Sequence, residues 1–143
     1  MIPIIVASVV ALDQLTKFLA TKFLTLHNPV PLIKPVLYLT LVHNRGAAFG
    51  LLPNQLLLFI LVSCFAVGLI IYTLKKNNSL VLKVALSLIL GGAIGNLIDR
   101  LRFGFVIDFL DLRVWPVFNL ADSVITIAAI ALTWELIFNK NAA

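Results

Sequence analysis

Residues 80–99 have the sequence LVLKVALSLILGGAIGNLID. A helix needs about 20 apolar residues to cross the hydrocarbon core of a bilayer, and this run has that length. Gly92, Asn96 and Asp99 follow one another at i, i+4 and i+7, so they share one helical face. Glycine lets helices approach closely, and asparagine can hydrogen-bond across a helix pair. The run therefore predicts a transmembrane helix whose polar stripe faces other helices.

The composition of the whole chain is that of an integral membrane protein. Of its 143 residues, 62% are hydrophobic and 12% are charged, whereas soluble domains are about a quarter charged. The basic residues are dispersed, which argues against nucleic-acid binding. We predict an α-helical polytopic membrane protein, a single domain over residues 1–143. Its four transmembrane helices are expected at about 2–24, 54–74, 80–99 and 118–138.

Two stretches between these helices are expected to form a small β-containing platform on one face of the membrane. Residues 25–53 contain four prolines, which break helices. Within them, residues 36–42 are rich in β-formers and predict a strand. The sequence of residues 44–50 predicts a turn that leads into a short interfacial helix. Residues 100–117 mix charges with glycine and proline, and we expect them to lie at the interface.

Four of the six acidic side chains, Asp99, Asp108, Asp111 and Asp122, lie in one short stretch. A carboxylate at membrane depth costs several kcal/mol unless it is paired, and most of those that persist mark a functional site. Asp99 is expected to form a structural salt bridge near Arg100, and Asp111 to be a solvated loop charge. Asp108 and Asp122 have no cation close in sequence, so they are the candidates for chemistry.

Polar residues on the other helices are expected to surround these carboxylates. Asp13 and Lys17 are four residues apart and can pair on one helical face. In the last apolar segment, Asn119 can cap the helix start, and Asp122 follows about one turn inside. Two facing aspartates share a proton. The ionised carboxylate can then take a proton from water, while the protonated one donates to a carbonyl and later to the leaving amine.

Two other function classes fit the composition. A proton-coupled transporter or channel component uses intramembrane carboxylates, but it would distribute them through the bilayer, whereas here they crowd toward one face. A non-catalytic scaffold could be held together by the glycine-rich third segment. That hypothesis leaves Asp108 and Asp122 without a role.

Five short motifs, in order along the chain, resemble those of the bacterial lipoprotein signal peptidases, the type II signal peptidases. They are DQLTK at 13–17, NRGAAF at 44–49, GGAIGNLIDR at 91–100, GFVIDF at 104–109 and FNLADS at 118–123. The resemblance implies an intramembrane aspartyl endopeptidase that cleaves prolipoproteins before a diacylglyceryl-modified cysteine. It implies Asp108 and Asp122 as the catalytic dyad, with no metal and no cofactor. The residues expected to bind substrate or support the site are Asp13, Lys17, Asn44, Gly46, Asn96, Asp99, Arg100, Asn119 and Ala121.

The resemblance also implies a location and an orientation. The protein is expected in the bacterial cytoplasmic membrane, with cytoplasmic termini and the dyad near the extracytoplasmic face. The raw count of lysine and arginine would instead place the platform in the cytoplasm. Three of the contrary charges, Lys17, Arg45 and Arg100, belong to the family motifs, so we follow the family. The expected partners are the prolipoprotein substrate and membrane lipids, with no nucleic acid, and a monomer is the simplest expectation.

Overall fold

The computed structural model describes residues 1–46, 54–76 and 79–138. Along this part of the chain lie four helices and three strands: α1 (Ile2–Phe23), β1 (Val30–Ile33), β2 (Leu37–Asn44), α2 (Leu56–Lys76), α3 (Leu80–Phe103), β3 (Val106–Asp111) and α4 (Leu120–Phe138). The helices α1, α2 and α3 are each long and apolar enough to cross a membrane. The protein is therefore a helical membrane protein, and the role of α4 as a fourth span stays a prediction.

The third helix runs further than its sequence pattern predicted. All four helices begin within two residues of the predicted positions, but α3 ends at Phe103 rather than Asp99. It ends there because Gly104 adopts a left-handed conformation with φ 79° and donates its N–H to the Arg100 carbonyl. Arg100 and Arg102, predicted to lie in the platform, are thus in the last turn of α3. The predicted short interfacial helix falls on residues 47–53, outside the described residues.

Helix α3 is central and packs against α1, α2 and α4. Three of its glycines allow the close approach, and a Cβ on Gly91 would lie 2.7 Å from Val9 Cβ of α1. A Cβ on Gly92 would lie 2.7 Å from Ile125 Cγ1 and 2.8 Å from the Ala121 carbonyl oxygen of α4, and one on Gly95 would overlap the Asp13 carboxylate of α1. Helix α2 packs on α3 around Leu74, and most of its surface is exposed, as for a lipid-facing helix.

The β-containing platform is an antiparallel sheet in the order β1-β2-β3. The strand predicted at 36–42 is observed as β2. Ile107 and Phe109 on one face of β3 pack with Leu41 of β2 and with Ala20 near the end of α1. Since successive side chains of a strand point to opposite faces, Asp108 points to the other face. This packing fixes the sheet on the helices with Asp108 facing away from α1.

The prediction that Asp111 is a solvated loop charge is wrong. Asp111 is the last residue of β3, and only 5% of it is exposed. Burial alone would raise the pKa of its carboxyl, but hydrogen bonds from Thr40 and Arg113 outweigh it and hold the pKa below the usual value. The Thr40 hydroxyl donates to Asp111 Oδ2 over 2.7 Å. This buried hydrogen bond between Thr40 of β2 and Asp111 of β3 therefore links the two strands.

Candidate active site

Strand register brings Asn44 and Asp108 together. Asp108 lies opposite Val42 on β2, and Asn44 is two residues beyond Val42, so both polar side chains are on one face of the sheet. The Asn44 amide donates to Asp108 Oδ2 over 2.9 Å. The Gly46 N–H donates to Asn44 Oδ1 over 3.0 Å, which turns the Asn44 NH₂ group toward the carboxylate.

Asp122 is held at the beginning of α4 by a reciprocal cap. The Asp122 N–H donates to Asn119 Oδ1 over 3.0 Å, and the Asn119 N–H donates to Asp122 Oδ2 over 3.3 Å. This is the capping-box arrangement, with an aspartate in the place of the usual glutamate. The predicted capping role of Asn119 is confirmed. The positive end of the helix dipole also favours a negative charge in this first turn.

Asp108 and Asp122 line the same cleft, which has a volume of about 260 Å³. The polar residues Asn44, Asn96 and Arg100 line it as well, and so do residues 115–118 of the loop before α4. Arg100 lies 5.4 Å from the centre of the Phe59 ring and forms no ion pair within the described residues. Its charge is thus available to a molecule in the cleft.

A buried ion cluster lies behind the cleft. The Lys17 ammonium is 2.8 Å from Asp13 Oδ2 and 2.9 Å from Asp99 Oδ2, and all three residues are at most 1% exposed. The Asp13–Lys17 pair predicted from the sequence is confirmed. The structural salt bridge expected of Asp99 exists, but its cation is Lys17 of α1 and not the neighbouring Arg100. Asp99 also accepts the Ile107 N–H over 3.1 Å, which joins the cluster to β3.

Hydrogen bonds connect this cluster to both aspartates of the cleft. Lys17 donates to Asn96 Oδ1 over 2.8 Å, so the NH₂ group of Asn96 is left to donate to Asp122 Oδ1, also over 2.8 Å. The NH₂ group of Asn119 donates to Asn96 Oδ1 over 3.0 Å and to Asp108 Oδ1 over 2.7 Å. The lysine charge therefore fixes the direction in which the Asn96 amide points, and Asn119 donates to the same Asn96 oxygen.

All the sequence-predicted site residues lie in this one region. Ala121 takes part through its backbone, whose N–H donates to Asp13 Oδ1 over 3.1 Å. One residue of the cluster was missed. Gln14 was not among the predicted site residues, but its amide donates to Asp99 Oδ1 over 2.9 Å and to Asp13 Oδ2 over 3.3 Å. Its position inside the DQLTK motif was the available signal.

The environment of Asp108 shifts its proton affinity strongly. Burial, and to a lesser degree the Asp122 charge, raise the pKa of the Asp108 carboxyl to about 7, while the hydrogen bonds from Asn44 and Asn119 oppose the rise. A carboxyl with this pKa is half protonated near neutral pH. The Asp108 carboxyl can therefore either donate or accept a proton near neutral pH, which is a requirement for general acid–base catalysis.

Comparison with known proteins identifies the family. Residues 5–138 match the family model of signal peptidase II. The chain belongs to the signal peptidase II family. Because this is a family of aspartic peptidases, the chain is an aspartic peptidase.

Curated signal peptidase II relatives align over almost their whole length. The lipoprotein signal peptidase of Caldanaerobacter subterraneus subsp. tengcongensis is 51% identical over 138 residues, which cover 94% of each chain. That of Halothermothrix orenii is 48% identical over 130 residues, covering 90% of each chain. A bacterial membrane enzyme solved by the in meso method at 1.9 Å superposes with a TM-score of 0.88 and 32% identity, over 97% of this chain and 94% of that one.

The ion cluster predicts a large loss of stability when its cation is removed. Lys17→Met leaves Asp13 and Asp99 buried without a counter-charge, and breaking a buried pair in this way costs on the order of 3–5 kcal/mol. Lys22→Met is the matched control, since Lys22 is exposed near the end of the same helix, and surface changes stay within about 0.5 kcal/mol. Thermal unfolding in detergent measures both. Equal stability of the two variants would contradict a structural role for the Lys17 charge.

Proposed function

We propose that this signal peptidase II removes the signal peptide from diacylglyceryl-modified prolipoproteins by an aspartate-dyad mechanism. The relatives are named lipoprotein signal peptidases, and the motif resemblance implies that cleavage is before the lipidated cysteine. One observation carries the proposal: Asp108 and Asp122 line one cleft, each oriented by amide groups. No other acidic side chains line this cleft within the described residues.

The proposed reaction uses the two carboxyls in turn. The ionised Asp122 takes a proton from water, which attacks the scissile carbonyl, while protonated Asp108 gives its proton to the carbonyl oxygen. The tetrahedral diol then collapses. Asp122 passes its new proton to the leaving amine, and the diol returns a proton to Asp108. Each carboxyl ends in its starting state, so the cycle needs neither a metal nor a covalent intermediate.

The position of the dyad suits a lipid-modified substrate. Two acyl chains on the cysteine would keep the scissile bond at the membrane surface, and Asp122 lies in the first turn of α4, next to the platform. The Arg100 guanidinium at the cleft can donate to a substrate carbonyl. We infer that the dyad faces the extracytoplasmic side of the bacterial cytoplasmic membrane, that α4 is the fourth span, that the termini are cytoplasmic and that a monomer is active.

Removing either carboxyl tests the dyad. Asp108→Asn and Asp122→Asn should each lower cleavage of a diacylglyceryl-modified prolipoprotein in detergent by at least about a hundredfold, because each variant lacks one of the two proton-transfer groups. Both proteins should keep their helical circular dichroism. A chelator should leave the wild-type rate unchanged, and substrate without the diacylglyceryl group should be cut poorly. Full activity in either variant would overturn the assignment.

The raised pKa of Asp108 predicts the pH dependence. Asp108 must begin the cycle protonated, so kcat/KM should fall as pH rises through about 7. The Asn44 hydrogen bond lowers this pKa because it stabilises the charged form. Asn44→Ala should therefore move the descending limb to higher pH. A limb that stays in place or moves to lower pH would show that Asp108 is not the group that holds the proton.

A further inference from the structure

A second cavity lies behind the ion cluster, on the side away from the dyad. It has a volume of about 270 Å³ and shares no lining residue with the dyad cleft among the residues described. Lys17 and Asp99 of the ion cluster form part of its wall. His43 and Ile107, which are partners across β2 and β3, also line it, so it lies on the face of the sheet opposite Asp108. We call it the rear cavity.

The rear cavity lies where two membrane helices end at the platform. Phe18 and Thr21 line it from the last two turns of α1, and Arg102 and Phe103 line it from the last turn of α3. Phe18 is 57% exposed and Phe103 is 45% exposed, so the cavity has an apolar border that lipid can contact. Its depth in the membrane is that of the lipid headgroups, where the apolar part of a spanning helix ends.

Arg102 brings an unpaired positive charge to the rear cavity. Its guanidinium lies 5.0 Å from the centre of the Phe103 ring and forms no salt bridge in the described part of the chain. A guanidinium presents its N–H donors as a planar fork, which matches two oxygens of a phosphate group. The cavity therefore contains a donor set suited to an anion with several oxygens.

Further basic groups converge on the same side of the sheet. His43 stacks on Phe105, with the ring centres 4.1 Å apart. Burial lowers the pKa of His43, and the charges of His27 and Arg45 lower it further, because like charges disfavour protonation. An anion beside these basic groups would offset their mutual repulsion.

The carboxylate in the wall of the rear cavity is already satisfied. Asp99 is the only acidic residue that lines the cavity within the described ranges, and none of its surface is exposed. Its Oδ1 accepts from Gln14, and its Oδ2 accepts from Lys17 and from the Ile107 N–H. The cavity thus offers a cation no free carboxylate oxygen, and the charge that Arg102 adds to it is positive.

We propose that the rear cavity binds the phosphate group of a membrane phospholipid. The Arg102 fork pairs with two phosphate oxygens, the His43 ring donates a further hydrogen bond, and the acyl chains lie along Phe18 and Phe103. Basic pockets beside membrane helices are suited to phospholipid headgroups. Free phosphate has the same oxygens but no chains to cover the two exposed rings, so the rings favour the lipid.

Removing the Arg102 charge tests the site. Native mass spectrometry of the purified protein in detergent measures the Kd for phosphatidylglycerol. Arg102→Gln should raise this Kd about tenfold, because a charge-assisted pair with the phosphate is lost, and diacylglycerol with the same chains should bind the wild type at least as weakly. Lys34→Gln is the matched control, since Lys34 is an exposed cation of the platform that does not line the cavity. An unchanged Kd for Arg102→Gln, or an equal rise for Lys34→Gln, would overturn the proposal.

Photo-crosslinking of the wild-type protein tests the same site even if Arg102→Gln folds poorly. Phosphatidylglycerol with a diazirine in its headgroup should crosslink to peptides that contain Thr21, His43 or Arg102, and excess unlabelled lipid should remove these crosslinks. Excess inorganic phosphate should not remove them, because it has no acyl chains. Crosslinks spread over the whole platform would overturn the proposal, and displacement by inorganic phosphate would overturn the assignment to lipid. Neither measurement uses cleavage, so both are independent of the proposed function.

Discussion

A buried cation, the Lys17 ammonium, joins the membrane helices to the two aspartates of the cleft. Lys17 of α1 lies between Asp13 and Asp99, in a bundle where an unpaired charge would be very costly. Two carboxylates and one amide oxygen accept from the three donors that a lysine ammonium carries. The pairing is possible only because Gly95 lets α3 approach the Asp13 carboxylate closely. The close packing of α1 and α3 and the pairing of the buried Lys17 charge thus depend on the same contact.

This cation orders the polar groups toward the cleft. The Asn96 oxygen is occupied by Lys17 and Asn119, so its NH₂ group faces Asp122. The Asn119 oxygen is occupied by the helix cap, so its NH₂ group faces Asp108. Both carboxyls meet preset N–H donors, but Asp108 is more deeply buried and Asp122 has the helix end beside it. In the proposed mechanism, these two environments give Asp108 the role of proton donor and Asp122 that of proton acceptor.

Features that depend on local sequence could be predicted. The helix starts followed from apolar length, β2 from its β-formers, the Asp13–Lys17 pair from four-residue spacing, and the Asn119 cap from its place before an apolar run. Features set by distant pairing could not. Asp111 lies among charged and turn-forming residues, and its burial depends on Thr40 across the sheet. Likewise, only the register of β2 on β3 puts Asn44 on the same face as Asp108. The family motifs identified most of the site residues, but they did not predict which of these residues contact one another.

Difference infrared spectroscopy of the carboxyl groups tests the central claim most directly, because a protonated carboxyl has its own C=O stretching band. In the purified protein without substrate, one such band should titrate near pH 7, as the raised pKa of Asp108 requires. The band should disappear in Asp108→Asn. Persistence of the same band in Asp108→Asn, or the absence of any carboxyl that titrates near neutral pH, would contradict a dyad in which Asp108 holds the proton.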